Sequence, residues 1–309
     1  MTLHRRDALK LGLSAAALTA LPRFLVRSAA AADHAAEPLI TRPIPSTGER
    51  LPVVGIGTAR RYDHASAAGK AEIKEMLQVY PSLGGKLIDT AESYGEPLVG
   101  ELVAELGNRS SLFLATKVGT TGKEAGREQI ERSFRRLRTD KIDLFAVHNF
   151  VDVDTQLATL NELKQAGRIR YVGVTTSTHR QHAIMEATIK AQKLDFIQVD
   201  YAIDNREAAD RILPLAQDRG LAVMINVPFG VTRLWGAVQG KPLPDWAAEF
   251  DCRSWGQFFL KYIIAHPAVT CAIPGTSSAK HLPDNMGAAH GRLPDAAMRT
   301  RMEQYLATL

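Results

Sequence analysis

The chain has 309 residues, of which 45% are hydrophobic and 23% are charged, proportions typical of a soluble globular protein with a large core. The formal net charge is +5, but residues 1–32 hold five Lys or Arg and one Asp, so the rest of the chain carries only +1. Basic and acidic residues are interspersed after residue 32 and form no basic stripe, which excludes nucleic acid as a partner.

The first 32 residues have the features of an export signal. Arg5 and Arg6 precede the apolar, Ala-rich run LGLSAAALTALP, and four alanines at 29–32 form a small-residue stretch suited to cleavage. The paired arginines favour a twin-arginine signal, although Ala8 stands where that motif usually has Phe. We therefore expect the twin-arginine export machinery to be a partner of this chain.

A membrane anchor or a disordered tail is the alternative interpretation of this segment. Pro22 and Arg23 interrupt the apolar run after about a dozen residues, whereas a spanning helix needs about 20. We therefore expect no stable membrane anchor, cleavage near Ala32, and a periplasmic or otherwise exported mature protein. Residues 33–50 are predicted to be a polar connector.

From residue 51 onward, short β-branched runs alternate with helix-like segments. The predicted strands are PVVGIG from 52, KLIDTA from 86, LFLATKV from 112, IDLFAVH from 142, YVGVTT from 171, FIQVDY from 196, AVMINV from 222 and TCAIPG from 270. Between them, segments such as AEIKEMLQVY and TQLATLNELKQAG have apolar residues every three or four positions. Eight such units predict a single α/β domain over 51–309, a closed (β/α)8 TIM barrel with a short C-terminal helix.

Polar residues stand at or near the ends of these predicted strands. In a barrel of this class, reacting residues lie at the C-terminal ends of the strands, where the βα loops form one face. A charged residue that leaves a strand can also simply reach water, but residues on neighbouring strands should converge on one mouth. The residues concerned are Asp89, Lys117, His148, Thr175 and Gln198.

Tyr94, five residues after Asp89, suits the role of a proton donor in this mouth. A phenol has a pKa of about 10, and an ammonium at short range lowers that pKa by about one to three units. Lys117 would supply the ammonium, Asp89 would keep Lys117 charged, and His148 would hydrogen-bond the substrate oxygen. No Ser or Cys with an adjacent base accompanies them, so hydride from a nicotinamide is the natural complement.

Six motifs over roughly residues 50–290 resemble those of the aldo-keto reductase family, in the same order and at similar spacing: LIDTAESYG, LATKVG, IDLFAVHNF, GRIRYVGVTT, FIQVDY and HPAVTCAIPGTSSAKHLPDN. The resemblance implies a TIM barrel, a nicotinamide cofactor extended across the barrel top, and reduction of a small aldehyde or ketone. It assigns a catalytic tetrad of Asp89, Tyr94, Lys117 and His148, with Tyr94 as the general acid.

The same resemblance implies a set of cofactor-binding residues. Gln198 would hold the carboxamide, and residues of the last loop and following helix would contact the adenosine end. NADP(H) is expected in preference to NAD(H). The complete set is Thr175, Thr176, Gln198, Asn226, Pro228, Phe229, Gly230, Gly275, Thr276, Ser277, Lys280, His281, Asp284 and Asn285.

Several of these residues depart from the family pattern. Thr175-Thr176 replaces the usual Ser-Asn and removes one carboxamide contact. Asn226 stands where an aromatic ring usually stacks on the nicotinamide, which leaves Phe229 or Trp235 as substitutes. The positions that usually carry basic side chains for the 2′-phosphate are Gly275 and His281, with Lys280 adjacent.

Two other functions fit parts of the sequence. The altered nicotinamide contacts are compatible with a cofactor-bound sensor or interaction module with little turnover. His179 and His182 suggest a metal-dependent barrel hydrolase, but they lack a third ligand nearby, so no metal site is predicted.

Three further expectations concern the mature protein. The segment 229–253 is long and Trp-containing, and it is predicted to be a substrate lid. Cys252 and Cys271 could form one disulfide, although a buried thiol is the simpler interpretation of Cys271. Reduced nicotinamide is scarce outside the cytoplasm, so we expect the cofactor to be acquired before export and retained.

Overall fold

The computed structural model describes residues 38–63 and 65–309, so the predicted export signal lies outside the described residues. The predicted connector differs from expectation, because β1 (Thr41–Pro43) lies within it and pairs antiparallel with β2 (Arg50–Pro52). Ile44 and Leu51 of this hairpin are fully buried against the first residues of several barrel strands. The hairpin therefore covers the N-terminal end of the barrel.

Eight parallel strands follow, and sequence neighbours pair in order around the sheet. They are β3 (Ile56–Gly57), β4 (Leu87–Asp89), β5 (Phe113–Val118), β6 (Ile142–His148), β7 (Ile169–Thr175), β8 (Phe196–Asp200), β9 (Ala222–Asn226) and β10 (Cys271–Ala272). Parallel bridges from Val54 to Ala272 and from Gly57 to Gly275 join the first strand to the last. The predicted closed eight-stranded barrel is confirmed, and β7 begins two residues earlier than predicted.

Ten α-helices accompany the strands in the described part of the chain. They are α1 (Ala67–Val79), α2 (Glu96–Leu106), α3 (Lys123–Arg136), α4 (Val153–Gln165), α5 (His182–Ala191), α6 (Ile212–Asp218), α7 (Arg233–Ala237), α8 (Trp255–Ile264), α9 (Leu282–Gly287) and α10 (Ala296–Leu306). Among the helices of this described part, none combines the length and the apolar character that a membrane crossing requires.

The two-residue period of the strands explains why polar residues collect at one end of the barrel. Apolar side chains fill the lower interior: Ile44, Leu51, Leu87, Phe113, Ala115, Leu144, Tyr171, Phe196, Ala222, Met224, Cys271 and Ile273. Successive side chains of a strand point to opposite faces, so every second residue points inward. Asp89 follows Leu87 by two residues, and Lys117 follows Ala115 by two. His148 follows Leu144 by four, so all three polar residues also point inward.

The predicted lid, residues 229–253, divides into two parts. Residues 229–237 continue from the C-terminal end of β9 and include α7. The later part packs on outer helices, because the Trp246 ring lies 5.8 Å from that of Phe258 in α8 and 5.6 Å from that of Tyr305 in α10. Only the first part of this segment is therefore close to the barrel mouth.

Both cysteines are free thiols and both are buried. The disulfide that the sequence left open is not formed. Burial raises the pKa of the Cys252 thiol to about 12 and raises the pKa of Cys271 further. Neither thiol therefore carries appreciable thiolate at neutral pH.

Candidate active site

Asp89 and Lys117 form a buried ion pair at the top of the barrel. Lys117 Nζ lies 2.8 Å from each oxygen of the Asp89 carboxylate and donates a further hydrogen bond of 2.8 Å to Thr90 O. Both side chains are less than a tenth exposed. An ammonium removed from water needs such partners, and Asp89 lies where it can provide them.

Tyr94 reaches the same mouth from the loop between β4 and α2. Its hydroxyl lies 3.2 Å from His148 Nε2, and the two rings meet edge to face with centroids 5.7 Å apart. Lys117 Nζ lies 5.4 Å from the Tyr94 ring centroid, within the range of a cation–π contact. The structure therefore brings all four predicted tetrad residues together.

The predicted effect of Lys117 on the Tyr94 phenol requires a correction. The pKa of Tyr94 is raised above its ordinary value, chiefly by burial and then by the negative charge of Asp89, while Arg60 acts in the opposite direction. The ammonium donates to Asp89 and Thr90, and no hydrogen bond joins it to the phenol. Lys117 and Asp89 together form a nearly neutral pair, so the field that was expected to lower the pKa of Tyr94 is largely cancelled.

His148 is held in its neutral form in this site. Burial, followed by the positive charge of Lys117, lowers the pKa of His148 to about 4. At neutral pH the imidazole can therefore carry one proton and donate it from Nε2 to an oxygen, as the Tyr94 hydroxyl can.

Gly95 permits the approach of the Tyr94 loop to the loop that follows β3. Gly95 has a φ of 84°, and a Cβ atom built on it would lie 2.6 Å from Tyr62 Cβ. Any other residue would therefore both strain the backbone and displace Tyr62, and with it the position of Tyr94.

The residues predicted to hold the nicotinamide lie in or directly after β7, β8 and β9. Gln198 Nε2 donates to Asp89 Oδ2 at 3.0 Å, so Gln198 buttresses the ion pair. Asn226 Nδ2 donates to Thr176 O at 2.8 Å, whereas Asn226 Oδ1 is buried without a partner. Thr175 and Thr176 are buried beside them. A donor brought here by a ligand would satisfy that oxygen, whose isolation costs about 1–3 kcal/mol.

The loop after β9 is strained where it leaves the strand. Val227 has a φ of 51°, which is rare for a β-branched residue, and Pro228, Phe229 and Gly230 follow it. The Phe229 ring lies 5.0 Å from that of Trp235 and 6.3 Å from that of Phe259. Phe229 is therefore part of an aromatic cluster that packs against α8.

The residues expected at the adenosine end form a second hydrogen-bonded group. Asn285 Nδ2 donates to Thr276 Oγ1 at 3.0 Å, and Tyr62 OH donates to Thr276 O at 3.0 Å. Asp284 accepts from Ser254 Oγ at 2.7 Å and from Gln257 Nε2 at 3.0 Å. Ser277 is half-buried nearby in the sequence, while Gly275, Lys280 and His281 are exposed.

Arg61 is a candidate that the sequence analysis missed. A Cβ atom built on Gly275 would lie 3.9 Å from Arg61 Cγ and 4.0 Å from Arg61 Nε, so the arginine side chain runs alongside this loop. Within 38–63 and 65–309, no side-chain partner holds its guanidinium. The available signal was the pair of adjacent arginines, Arg60 and Arg61, in the loop that follows β3. Arg61 and Lys280 bring a guanidinium and an ammonium group to this loop, and such groups bind phosphates.

The histidines that suggested a metal site are arranged otherwise. His182 Nε2 lies 3.0 Å from Asp200 Oδ1, and Asp200 also accepts from Asn205 at 2.7 Å. No cluster of three or more potential metal-ligating side chains exists among the described residues.

Comparison with known proteins places the chain among relatives of one family. A profile of the Aldo/keto reductase family matches residues 53–304. The chain is 34% identical to aldo-keto reductase YhdN of Bacillus subtilis over 194 residues, which cover 57% of this chain and 56% of YhdN. It is 29% identical to methylglyoxal reductase YeaE of Escherichia coli, with 83% of this chain and 92% of YeaE covered.

A solved structure shares both the fold and the cofactor class expected here. The aldo/keto reductase from Klebsiella pneumoniae, in complex with NADP and acetate, superposes with a TM-score of 0.71 at 26% identity, covering 84% of this chain and 93% of that one. With the matched profile spanning most of the barrel and the tetrad assembled at its mouth, the chain belongs to the aldo/keto reductase family.

Proposed function

We propose that this chain reduces a small aldehyde or ketone with hydride from a nicotinamide cofactor, and that Tyr94 donates the proton to the carbonyl oxygen. The observation that carries this proposal is the convergence of Tyr94 OH and His148 Nε2, 3.2 Å apart, beside the buried pair of Lys117 and Asp89. The chain belongs to a family of carbonyl oxidoreductases, so we expect a site with this geometry to be that of an enzyme.

The residues present would divide the reaction between them. Asn226, Gln198 and the paired threonines 175 and 176 would hold the nicotinamide, which supplies a hydride when bound. His148, neutral at working pH, would orient the carbonyl oxygen by hydrogen bonding. Tyr94 would transfer its proton to the oxygen as the carbon–oxygen double bond becomes an alcohol. Lys117, 5.4 Å from the centroid of the Tyr94 ring, would hold the ring in place by a cation–π contact.

Replacement of Tyr94 by Phe tests this assignment directly. We expect Tyr94→Phe to lower kcat by about 10²–10⁴, the usual contribution of a positioned general acid, while the Kd for the cofactor stays within about twofold. Tyr305→Phe, on the outer helix α10, is the matched control. Carbonyl reduction would be followed by loss of reduced-nicotinamide absorbance over a panel of aldehydes and ketones that includes methylglyoxal.

Two outcomes would contradict the proposal in different ways. Unchanged kcat in Tyr94→Phe would exclude Tyr94 as the acid. Wild-type protein that binds the cofactor but reduces no member of the panel would instead favour the sensor or interaction module.

The positive charge beside Gly275 supports NADP(H) in preference to NAD(H). Arg61, Lys280 and His281 would contact the 2′-phosphate, and the Klebsiella pneumoniae relative holds NADP. We expect wild type to bind NADPH more tightly than NADH in calorimetric titration, and Arg61→Ala to weaken NADPH binding more than NADH binding. Equal losses for both would assign Arg61 to the pyrophosphate instead.

Export of the folded enzyme with its cofactor is proposed from the sequence of residues 1–32. Twin-arginine transport would carry the holoenzyme across the membrane, and a second substrate would then have to reset the bound dinucleotide. Native mass spectrometry of the periplasmic fraction should show a chain cleaved near Ala32 with NADP(H) bound. Uncleaved cytoplasmic protein, or exported protein without nucleotide, would contradict this proposal; Arg5→Lys with Arg6→Lys is the control that should abolish export.

A further inference from the structure

A tight turn after β3 lies directly against the loop that carries Tyr94. Arg61 N donates to Thr58 O at 3.1 Å, so the chain folds back on itself as soon as the strand ends. Gly95, next to Tyr94, approaches this segment so closely that a Cβ atom built on it would lie 2.6 Å from Tyr62 Cβ. The turn and the proposed proton donor are therefore neighbours on the rim of the barrel mouth.

Arg60 lies within this turn in a conformation that is rare for a residue with a long side chain. Its φ is 62°, in the left-handed region, which the Cβ atom of an ordinary residue disfavours. Backbone strain of this kind is concentrated at binding and catalytic sites. The side chain is exposed, and no hydrogen bond or ion pair from the described part of the chain engages its guanidinium. Arg60 therefore presents its hydrogen-bond donors to a ligand.

The two adjacent arginines of the turn act on different parts of the mouth. The Arg61 side chain approaches Gly275, in the loop after β10. The charge of Arg60 instead acts on the Tyr94 phenol, since burial and then Asp89 raise the pKa of that phenol and Arg60 opposes the rise. The Arg60 guanidinium is therefore close enough to Tyr94 to interact with a molecule bound there.

The other charges around Tyr94 leave Arg60 as the cation available to a substrate. Lys117 is committed to the Asp89 carboxylate, with its Nζ 2.8 Å from both oxygens. Asp63, whose charge acts on the pKa of Tyr94 in the opposite direction to Arg60, forms no ion pair with it among the described residues. A carbonyl compound whose oxygen accepts from Tyr94 would therefore meet the uncompensated positive charge of Arg60 at this rim.

The guanidinium of Arg60 suits a carboxylate, which it can bind through two parallel hydrogen bonds that give both affinity and orientation. We propose that Arg60 binds a carboxylate of the substrate, and that the enzyme therefore prefers aldehydes or ketones that carry an acid group. The inference rests on the proposed function, because it requires a carbonyl oxygen at Tyr94. A cofactor phosphate could also take up a guanidinium, but Arg61 is the arginine that approaches the Gly275 loop, where the phosphate contacts are proposed.

Substrate pairs that differ in charge test this preference in the unaltered protein. Glyoxylic acid and its methyl ester place the acid group next to the carbonyl, and para-formylbenzoic acid and its methyl ester place it across a ring. In at least one pair, kcat/KM should be at least about tenfold higher for the acid than for the ester, chiefly through KM. No preference for the acid in either pair would overturn the inference.

Substitutions in the turn identify the residue responsible. Arg60→Asn removes the charge but tolerates the left-handed backbone, so it should lower kcat/KM for the acid at least about tenfold and leave that for the ester within about twofold. Arg60→Lys should keep part of the preference, because an ammonium lacks the planar fork of a guanidinium. Arg61→Ala is the matched control, and at saturating cofactor it should leave the ratio of acid to ester unchanged while it weakens NADPH binding.

Two further results would contradict the inference. Equal losses for acid and ester in Arg60→Asn would overturn it, and weaker NADPH binding by the same variant would assign Arg60 to a cofactor phosphate. Unchanged kinetics of Arg60→Asn with both compounds would exclude Arg60 from substrate binding. All of these results would leave carbonyl reduction standing, because the esters would still be reduced. Wild-type protein that reduces neither these pairs nor the wider panel would instead remove the proposed function and this inference together.

Discussion

At the scale of single residues, burial controls proton chemistry in the mouth more than any one neighbouring charge does. Lys117 Nζ lies 5.4 Å from the centroid of the Tyr94 ring, yet its hydrogen bonds go to Asp89 and Thr90. The raised pKa of Tyr94 and the lowered pKa of His148 both follow first from loss of water. Each group is thereby kept neutral, the form in which it can donate a hydrogen bond to a carbonyl oxygen.

These pKa shifts predict the pH dependence of the two reaction directions. A raised pKa keeps the Tyr94 phenol protonated to higher pH, so kcat/KM for reduction should stay level between about pH 6 and pH 9. Alcohol oxidation requires the phenolate, so its rate should still be rising at about pH 10, the ordinary pKa of a phenol. Stopped-flow measurements across this range in both directions check the prediction. An alkaline decline of the reduction rate centred near pH 7 would contradict it.

At the scale of elements, α2 links the Tyr94 loop to the strand that carries Lys117. Glu96, the first residue of α2, is fully buried, and its Oε1 accepts from Thr116 Oγ1 of β5 at 2.5 Å. Its Oε2 and Ser133 Oγ of α3 are both buried without a partner at hydrogen-bond distance. Burial raises the pKa of Glu96, opposed by the hydrogen bond from Thr116 and by the charge of Arg136, while Glu92 adds to the rise.

We predict that Glu96 is a positioning residue for Tyr94. Glu96→Ala should lower kcat about tenfold, because a small misplacement of a reacting group is costly, while the Kd for NADPH should be unchanged. Glu96→Gln should restore most of kcat, since its amide oxygen can accept from Thr116. Glu105→Ala, at the exposed end of α2, is the control. Equal loss of kcat in the Gln and Ala variants, or no loss in either, would exclude this role.

At the scale of the whole molecule, the N-terminal hairpin closes the bottom of the barrel. Arg42 donates to the carbonyl oxygens of Ile264, His266 and Val269 at 2.7, 2.6 and 2.6 Å, which ties β1 to the end of α8 and the start of the last barrel unit. Such cations also suit the negative end of a helix dipole.

Removal of the Arg42 hydrogen bonds should lower the stability of the protein and leave the barrel mouth unchanged. Arg42→Ala should lower the free energy of unfolding by about 1–3 kcal/mol, because buried carbonyl groups would lose their donor. Urea unfolding and kcat measured on the same preparation check both expectations. Arg50→Ala, which breaks hydrogen bonds within the hairpin only, should cost less. A fall in kcat without a change in stability would contradict this description of the hairpin.

The sequence by itself determined the barrel and the strand-end placement of Asp89, Lys117 and His148. Alternation with a period of two, repeated in eight runs, leaves few other ways to bury the apolar residues. The hairpin escaped prediction because its strands have three residues each, too few to show a period.

Only the tertiary structure decided how these side chains use their hydrogen bonds and what surrounds them. Lys117 and Asp89 meet across 28 residues of sequence, and Tyr62 meets Thr276 across 214. The approaches of Arg61 to Gly275 and of Trp235 to Gly256 likewise join segments that are separate in the sequence. The local sequence pattern indicates which face of a strand a residue occupies. Loss of water and the choice among competing hydrogen-bond donors and acceptors depend on segments that only the closed barrel brings together.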